Sequence, residues 1–557
     1  MRPHPQSTPV LKAWAIVGII VFLVINFLSS YLSGRPPSEQ QPAMIPAVDK
    51  SKAIELAYEF VRSKEQAGAL RAEVGYNTDK LFNGYLQKEG LADAYTRIYG
   101  EKYPTEYWRV EVSDAQAASP EESSFRYAVD LDMMSGSVIG FEKQSGAEAP
   151  EKQAGEAAAL NYLAGHGVDM SGLDLDRSSQ GSYTFRDIGR RIGEAVLEHQ
   201  VTVRGSEITA YHRAFQPPAA HKDWQTMQDA FAGLMTLFSL TLSLVMTIAA
   251  IVLTARGSRG VSFQRGIIFT AFFALMYTVN TLNTIPVYKI TDGPFQPHEA
   301  LVFNILFSLA ITALLSAQLY FSLLGGDMLW RRAGTNMWPR WHEDGFAGYI
   351  VKSMTTGYLV CFIVLGAQNL LLFIGEQRFH VWGINDAAMS MQNMLVPALF
   401  PLMAWVAGIS EEAVYRLFGI MLFKKLLRFN FLAVLVPSMI WALSHTTYPI
   451  YPWYTRFVEV TVLGLLFGYA MLKFGFWTAV FAHTAMDCIL MGLSLMLMSG
   501  TVSMVLIGLL YMVSPVLFAL AMAMIRRRFP PRRPPGQPGQ PERVPAPVIP
   551  FPVKPQS

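Results

Sequence analysis

Long apolar runs fill residues 227–525, and they constrain this chain more than any other feature. A helix of about 20 apolar residues crosses the hydrocarbon core of a bilayer. In lipid each backbone N–H and C=O must find its partner within the protein, so such runs fold as helices. Candidate spans fall at 13–32, 228–254, 266–287, 301–325, 350–374, 394–423, 430–447, 457–474, 476–498 and 501–525. Charged residues are 16% of the 557-residue chain, against about 25% in soluble proteins. The shortfall lies in these runs, because residues 35–226 have an ordinary soluble composition. The expected fold is an all-α polytopic membrane helix bundle of about ten spans, with an extracytoplasmic α+β insert between the first and second.

Basic residues orient that arrangement, since Lys and Arg gather on the cytoplasmic side of membrane proteins. Arg256, Arg259 and Arg265 follow the second span, and Arg331, Arg332 and Arg340 the fourth. Lys424, Lys425 and Arg428 follow the sixth, Lys473 ends the eighth, and Arg526 to Arg528 follow the tenth. All fall on one side of a ten-span arrangement, which places both termini in the cytoplasm of a multi-pass cell-membrane protein. The first run is longer than the roughly 7–15 residues of a signal-peptide core, so 1–34 is expected to be a stub and an uncleaved anchor. The Arg/Pro-rich stretch 526–557 lacks the apolar content for a core and is expected to be a disordered cytoplasmic tail. The net charge of +3, with no basic patch interleaved with aromatics, gives no sign of nucleic-acid binding. Cys361 and Cys488 both lie in apolar runs and read as buried small hydrophobes rather than a disulfide.

The insert, 35–226, reads as helix then hairpin, twice. Ile54, Ala57, Tyr58 and Val61 have helical spacing, with strand-like stretches at 107–112, 125–131 and 137–141. Residues 154–163 read as a second helix, followed by strands at 195–203 and 207–211. The pattern resembles a tandem of PepSY-like modules, which implies a domain that binds or restrains a protease or peptide. A structural spacer is the alternative. His166, His199 and His212 are too scattered to argue for a metal site.

Ionisable residues inside the spans need a reason to be there, because each costs about 2.5–3.5 kcal/mol at mid-bilayer on insertion scales. They cluster in the last third. Glu411 and Glu412 are adjacent, and Arg416 lies four residues beyond Glu412, on the same helical face. Neighbouring carboxylates disfavour joint ionisation, a way of making one an effective base near neutral pH. His445 ends the next run, behind Trp441, and His483 shares a face with Asp487 in a third. Singly, these read as a clamp, an interfacial histidine and a satisfied hydrogen bond. Three such elements on three neighbouring spans point instead to chemistry.

The order Glu411-Glu412-x3-Arg416, Trp441-x3-His445, His483-x3-Asp487 resembles the three motifs of the CAAX-protease/bacteriocin-processing family, which includes the type II CAAX prenyl endopeptidases. The resemblance covers roughly 350–525 as a protease core and leaves 227–349 as additional helices. It implies an intramembrane endopeptidase in which Glu411, helped by His445, activates water. His483 with Asp487 would stabilise the oxyanion, and Glu412 with Arg416 would hold Glu411. Two departures stand out. Trp441 replaces the family's usual Phe, and Asp487 the Asn usual in prenyl-protein enzymes, so a prenylated substrate does not carry over. The partners implied are a peptide or protein substrate and the bilayer. No cofactor is expected. A zinc site using His445, His483 and a carboxylate is the alternative within enzymes, although no His-Glu-x2-His helix is present.

A catalytically silent sensor, immunity or scaffold protein that binds peptides through the insert is the competing class. An ion-coupled transporter would show inverted repeats, and none is visible. Gly464-x3-Gly468 is a close-packing pattern, and Asn280, Asn283 and Asn304 are expected to hydrogen-bond between helices. Trp441, Tyr448, Tyr451, Trp453 and Tyr454 read as an interfacial belt.

Overall fold

The computed structural model describes residues 8–32, 45–257, 263–264, 266–290 and 293–530. Arg2, Arg259, Arg265 and the tail beyond residue 530 lie outside them. The first helix, α1 (Pro9–Leu32), is an integral part of the bundle. A Cβ at Gly366 would meet the Gly18 backbone at 2.5 Å, so the two helices touch along glycine.

The insert is built from two copies of one plan. In the first, α2 (Lys50–Lys64) is followed by β1 (Leu70–Thr78), α3 (Lys80–Lys88), α4 (Ala92–Ile98), β2 (Glu106–Asp114), β3 (Arg126–Asp132) and β4 (Val138–Lys143). In the second, α5 (Lys152–Gly165) precedes β5 (Leu173–Ser179), β6 (Ser182–Ile192), β7 (Ala195–Arg204) and β8 (Glu207–Gln216). Asp49 starts α2 by accepting the Lys52 N–H at 2.8 Å, the side-chain cap that a helix N-terminus calls for. Ala53, Ala57 and Val61, spaced i, i+4, i+8, form its buried stripe. All eight strands form one antiparallel sheet, ordered β1-β2-β3-β4-β8-β7-β6-β5. Each copy is thus a helix and a four-stranded meander, joined through their last strands, where Phe141 faces Tyr211. The α2 and α5 stripes pack with Trp108, Val110, Tyr127, Val129, Phe185 and Val201 in one core. The strand stretches read from sequence fall on β2, β3, β4, β7 and β8, starting one residue early at β3 and β4, whereas β1, β5, β6, α3 and α4 went unread.

The rest is a helical bundle: α6 (Ala219–Arg256), α7 (Ile267–Asn283), α8 (Ile285–Ile290), α9 (His298–Arg332), α10 (Phe346–Phe379), α11 (Met403–Glu411), α12 (Ile420–Leu427), α13 (Asn430–Leu443), α14 (Trp453–Phe474), α15 (Phe476–Ser499) and α16 (Val502–Arg528). Two-residue strands β9 (Trp382–Gly383) and β10 (Ile450–Tyr451) pair beside the insert. Seven helices among the described residues are long and apolar enough to cross a membrane: α1, α6, α9, α10, α14, α15 and α16. Helices α7 and α13 are apolar but shorter. The run read as a span at 394–423 is a composite: a 3-10 turn at Pro397–Leu402, then α11, a π turn at Glu412–Gly419, and α12. Helix α6 begins at Ala219, so the insert's globular part ends earlier than the residue 226 expected. Helix α16 carries Arg526 to Arg528 as an ordered last turn, and Arg526 donates to the Trp341 carbonyl at 2.7 Å.

Hydroxyls bind the bundle through backbone carbonyls, as they do where no water competes. Ser239 of α6 donates to Ile440 of α13 at 2.6 Å, and Thr446 returns a bond to Ala232 at 2.9 Å. Gly464 and Gly468 bring α14 against Ser438 and Val434 of α13, where a Cβ would have no room. Of the three asparagines singled out, Asn283 makes a two-way bond to Val396, accepting its N–H at 2.7 Å and donating to its carbonyl at 3.1 Å.

The insert is fastened to the segment leading into α11. Asn393 accepts the Tyr76 N–H at 2.7 Å and donates to the Tyr76 carbonyl at 2.8 Å and the Ala387 carbonyl at 2.9 Å. It thereby satisfies part of the free edge of β1, which pairs with β2 alone. Asn385 donates to Glu106 at 2.8 Å, and Lys289 pairs with Glu73 at 2.5 Å.

Candidate active site

Three elements converge. Helix α11 and the π turn carry Glu411, Glu412 and Arg416, α13 carries Trp441 with His445 just beyond it, and α15 carries His483 and Asp487. Gly408 lets α11 lie against α15, because a Cβ there would fall inside Thr484. That contact sits one turn before Glu411 and one residue after His483. A π turn holds more residues than an α turn, so successive side chains are separated by a smaller angle. Glu411 closes α11 and Glu412 opens the π turn, and the two reach the two nitrogens of one imidazole. Glu412 Oε1 is 3.0 Å from His483 Nδ1, and Glu411 Oε2 is 3.8 Å from Nε2. Asp487 Oδ2 is 3.4 Å from the same Nε2. Trp330 of α9 donates its indole N–H to the Leu417 carbonyl in the π turn, at 2.9 Å.

The two glutamates differ in surroundings. Glu412 is 0% exposed and lies 3.1 Å from Arg416, itself 1% exposed. Arg416 stacks over Trp441, 4.1 Å from its ring centroid, and near Phe467 at 5.5 Å. A buried pair of this kind is expensive to break, because the survivor keeps an unpaired charge away from water. Glu411, at 24% side-chain exposure, is the accessible member. The Trp441 indole N–H donates to its Oε2. Glu411 therefore bonds Trp441, while Glu412, paired with Arg416, bonds His483.

His445 stands apart from the carboxylates. Among the described residues, no Asp or Glu oxygen lies within ion-pair distance of its ring. Its Nδ1 is 2.9 Å from the Trp441 carbonyl, which can only accept, so Nδ1 carries the hydrogen and Nε2 keeps a lone pair. The ring lies 5.0 Å from Trp441 and parallel to Tyr448 at 5.8 Å. Arg456 covers the Tyr448 ring at 5.0 Å, and Glu459 anchors Arg456 at 2.7 Å. Glu459 in turn accepts from Gln368 at 3.0 Å. Phe467, stacked on His483 at 4.7 Å, was passed over in the sequence as part of a packing motif. The Gly464-x3-Gly468 spacing that draws α14 close is the signal that pointed there. Trp441 and Tyr448, read as an interfacial belt, both touch the site.

Arg416, the His483 imidazole and three carboxylates thus meet among apolar helices, with the His445 ring beside Trp441, Glu411 reachable and Glu412 sealed. Neither serine beside the motifs is aimed into the group. Ser410 bonds the Val406 carbonyl at 2.8 Å, and Ser444 bonds the Trp441 carbonyl at 2.7 Å. The arrangement is one that can take a proton from water at Glu411 and present a donor at His483.

Residues 393–489 match the family model described as type II CAAX prenyl endopeptidase Rce1-like. The match runs from the residue that grips β1 to just past Asp487, and takes in each of the convergent groups. Neither a curated protein nor a solved structure matches the chain. The matched segment is thus similar to a protease family, and the apolar helices suit a multi-pass membrane protein.

Proposed function

We propose that this protein is an intramembrane endopeptidase that hydrolyses peptide bonds with a glutamate-activated water. The observation that carries the reading is the convergence of Glu411, Glu412, His483 and Asp487, with Arg416, on one buried locus between α11, α13 and α15. Glu411, fixed by the Trp441 N–H, takes a proton from water as that water attacks the scissile carbonyl. His445 accepts a hydrogen bond from the same water at Nε2, and Glu411 passes the proton it has taken to the departing amine. With Nδ1 committed to Glu412, His483 as imidazolium turns Nε2–H toward the oxyanion, and Asp487 keeps the ring in place and offsets its charge. That role suits Asp487 better than direct donation, because an ionised carboxylate has no hydrogen to give.

No metal is needed for these steps. The ten-span topology also belongs to this proposal: α7, α13 and the composite helix of α11 and α12 would join the seven long helices. The insert would then lie outside the cell and both termini inside. Its duplicated helix-and-meander plan supports the PepSY-like reading of a domain that binds peptide or restrains the protease.

The test is cleavage by the purified full chain in nanodiscs, using peptides with and without prenyl groups. Wild type is compared with Glu411→Ala and His445→Ala, with and without a zinc chelator. Cleavage lost in both variants and unaffected by chelation is expected. Loss on chelation would move the chemistry to zinc, and a folded wild type that cuts nothing would favour a peptide-binding, non-catalytic protein.

A further inference from the structure

A cavity of about 190 Å3 lies where the insert's first meander meets the segment 293–301 that opens α9. Its floor is the polar face of the sheet. Arg71 of β1, Ser113 of β2 and Arg126 of β3 stand side by side in register, and Glu111 follows on the same face. Its roof includes Phe295 and His298, whose N–H groups donate to Glu111 and to Glu121, each at 3.1 Å.

The two arginines are poorly matched. Arg126 is only 7% exposed, yet its acceptors, Glu111 and Gln144, both lie at 3.5 Å, the outer limit of a hydrogen bond. Its guanidinium plane faces the Phe295 ring at 5.0 Å. Arg71 reaches only the carbonyls of Ala115 and Ala117, at 3.5 and 3.4 Å. Buried cations ordinarily have a close acceptor, and a carboxylate accepts a guanidinium fork through two parallel bonds. Burial pushes the Glu111 carboxyl up, which weakens the one carboxylate within reach of Arg126.

We propose that this cavity binds the α-carboxylate of a free amino acid or of a peptide's C-terminal residue, held between Arg71 and Arg126. Size argues for a single residue, because pockets that enclose larger ligands run to roughly 300–1,000 Å3. Charge argues for a carboxylate over a phosphate. Glu121 lines the same space, repels a dianion and suits a neighbouring ammonium, whereas Glu73 is already paired with Lys289.

The proposal is tested by calorimetric titration of the full-length protein in nanodiscs. The probes are the twenty free amino acids, their N-acetyl forms and their C-terminal amides. At least one free or acetylated form is expected to bind and its amide to fail. Arg126→Gln and Arg71→Gln should each weaken binding tenfold or more, with the melting temperature as a control for folding. Binding of the free form alone identifies an amino acid as the ligand, whereas binding of the acetylated form as well identifies a peptide end. No binding by any probe, equal binding of amides, or affinity unchanged in both variants would overturn the proposal.

Discussion

Replacing Glu412 and Arg416, singly and together, separates what their pair does for folding from what it does for chemistry. Glu412→Met leaves the Arg416 guanidinium with no carboxylate at 3.1 Å, in a site where it is 1% exposed. Removing one member of a buried pair costs about 3–5 kcal/mol, a large part of the roughly 5–15 kcal/mol that holds a domain together. The double variant Glu412→Met/Arg416→Met removes both charges and fills the space with apolar side chains of similar length. Such exchanges are near neutral in stability, so most of the lost stability should return. Activity should not return with it. His483 Nδ1 still lacks its 3.0 Å acceptor, and a hydrogen bond to a charged group contributes about 1.5–3 kcal/mol. At about 1.4 kcal/mol per tenfold, kcat should stay down roughly 10- to 150-fold. Denaturant unfolding in detergent and peptide cleavage by the same preparations give the two readouts. A double variant with wild-type cleavage would refute the idea that Glu412 orients His483, and a Glu412→Met protein as stable as wild type would refute the buried-pair argument itself.

Trp441→Phe keeps a ring beneath Arg416 but removes the donor to Glu411, so cleavage should fall about tenfold or more with KM little changed; steady-state kinetics within twofold of wild type would release Trp441 from that role. Gly408→Ala forces α11 away from Thr484 and should cost about 1–3 kcal/mol as overpacking. Thr484→Ala in the same chain should recover part of it, read by thermal unfolding. Asn393→Ala strips the Tyr76 N–H and C=O of their partners and should loosen the insert by about 1–3 kcal/mol; limited proteolysis of the 380–395 segment, faster than in wild type, is the check. His199, 2% exposed on the insert sheet, has its pKa pushed down to about 4. Burial is the main cause, with Arg213, Arg190 and Lys102 adding to it and Asp187 opposing. Its folded value lies below the unfolded one of about 6.5. The stability it contributes is therefore complete above about pH 6.5 and lost as pH falls toward 4, by at most about 3 kcal/mol. Unfolding of His199→Gln should lack that component, and an identical pH profile would show that His199 does not supply it.

The groups of the site were legible because each violates the composition of its surroundings. A Glu-Glu pair, an Arg and two His inside apolar runs need little more than counting. Their partnerships were not legible. Glu412 reaching His483, 71 residues away, depends on the π turn, and nothing in Glu411–Gly419 distinguishes that register from an ordinary α-helix. The separation of His445 from the carboxylates likewise follows from where α13 ends, which hydrophobicity places only to within a turn. In the insert, β1 was readable in hindsight. Ala72, Val74 and Tyr76 alternate with Arg71, Glu73 and Gly75, a period of two that its charges obscured. Strand β5 carries little such signal, being exposed along most of its length at the sheet edge. The grip of Asn393 on Tyr76 spans 317 residues and leaves no trace in either local sequence.

The π turn at Glu412–Gly419 also changes what a small deletion means. Insertions and deletions are usually absorbed in loops, where they cost little and alter nothing downstream. Here a segment in the middle of the bundle carries a surplus residue. Excising any one residue between Ala413 and Tyr415 would return the segment to an unbroken α-helix, with better backbone geometry than before. It would also bring Glu412 and Arg416 from four residues apart to three, still on one face of an α-helix but with a changed approach of the guanidinium to the carboxylate. Losing one codon would then leave the bundle intact and re-set the geometry of the Glu412–Arg416 pair.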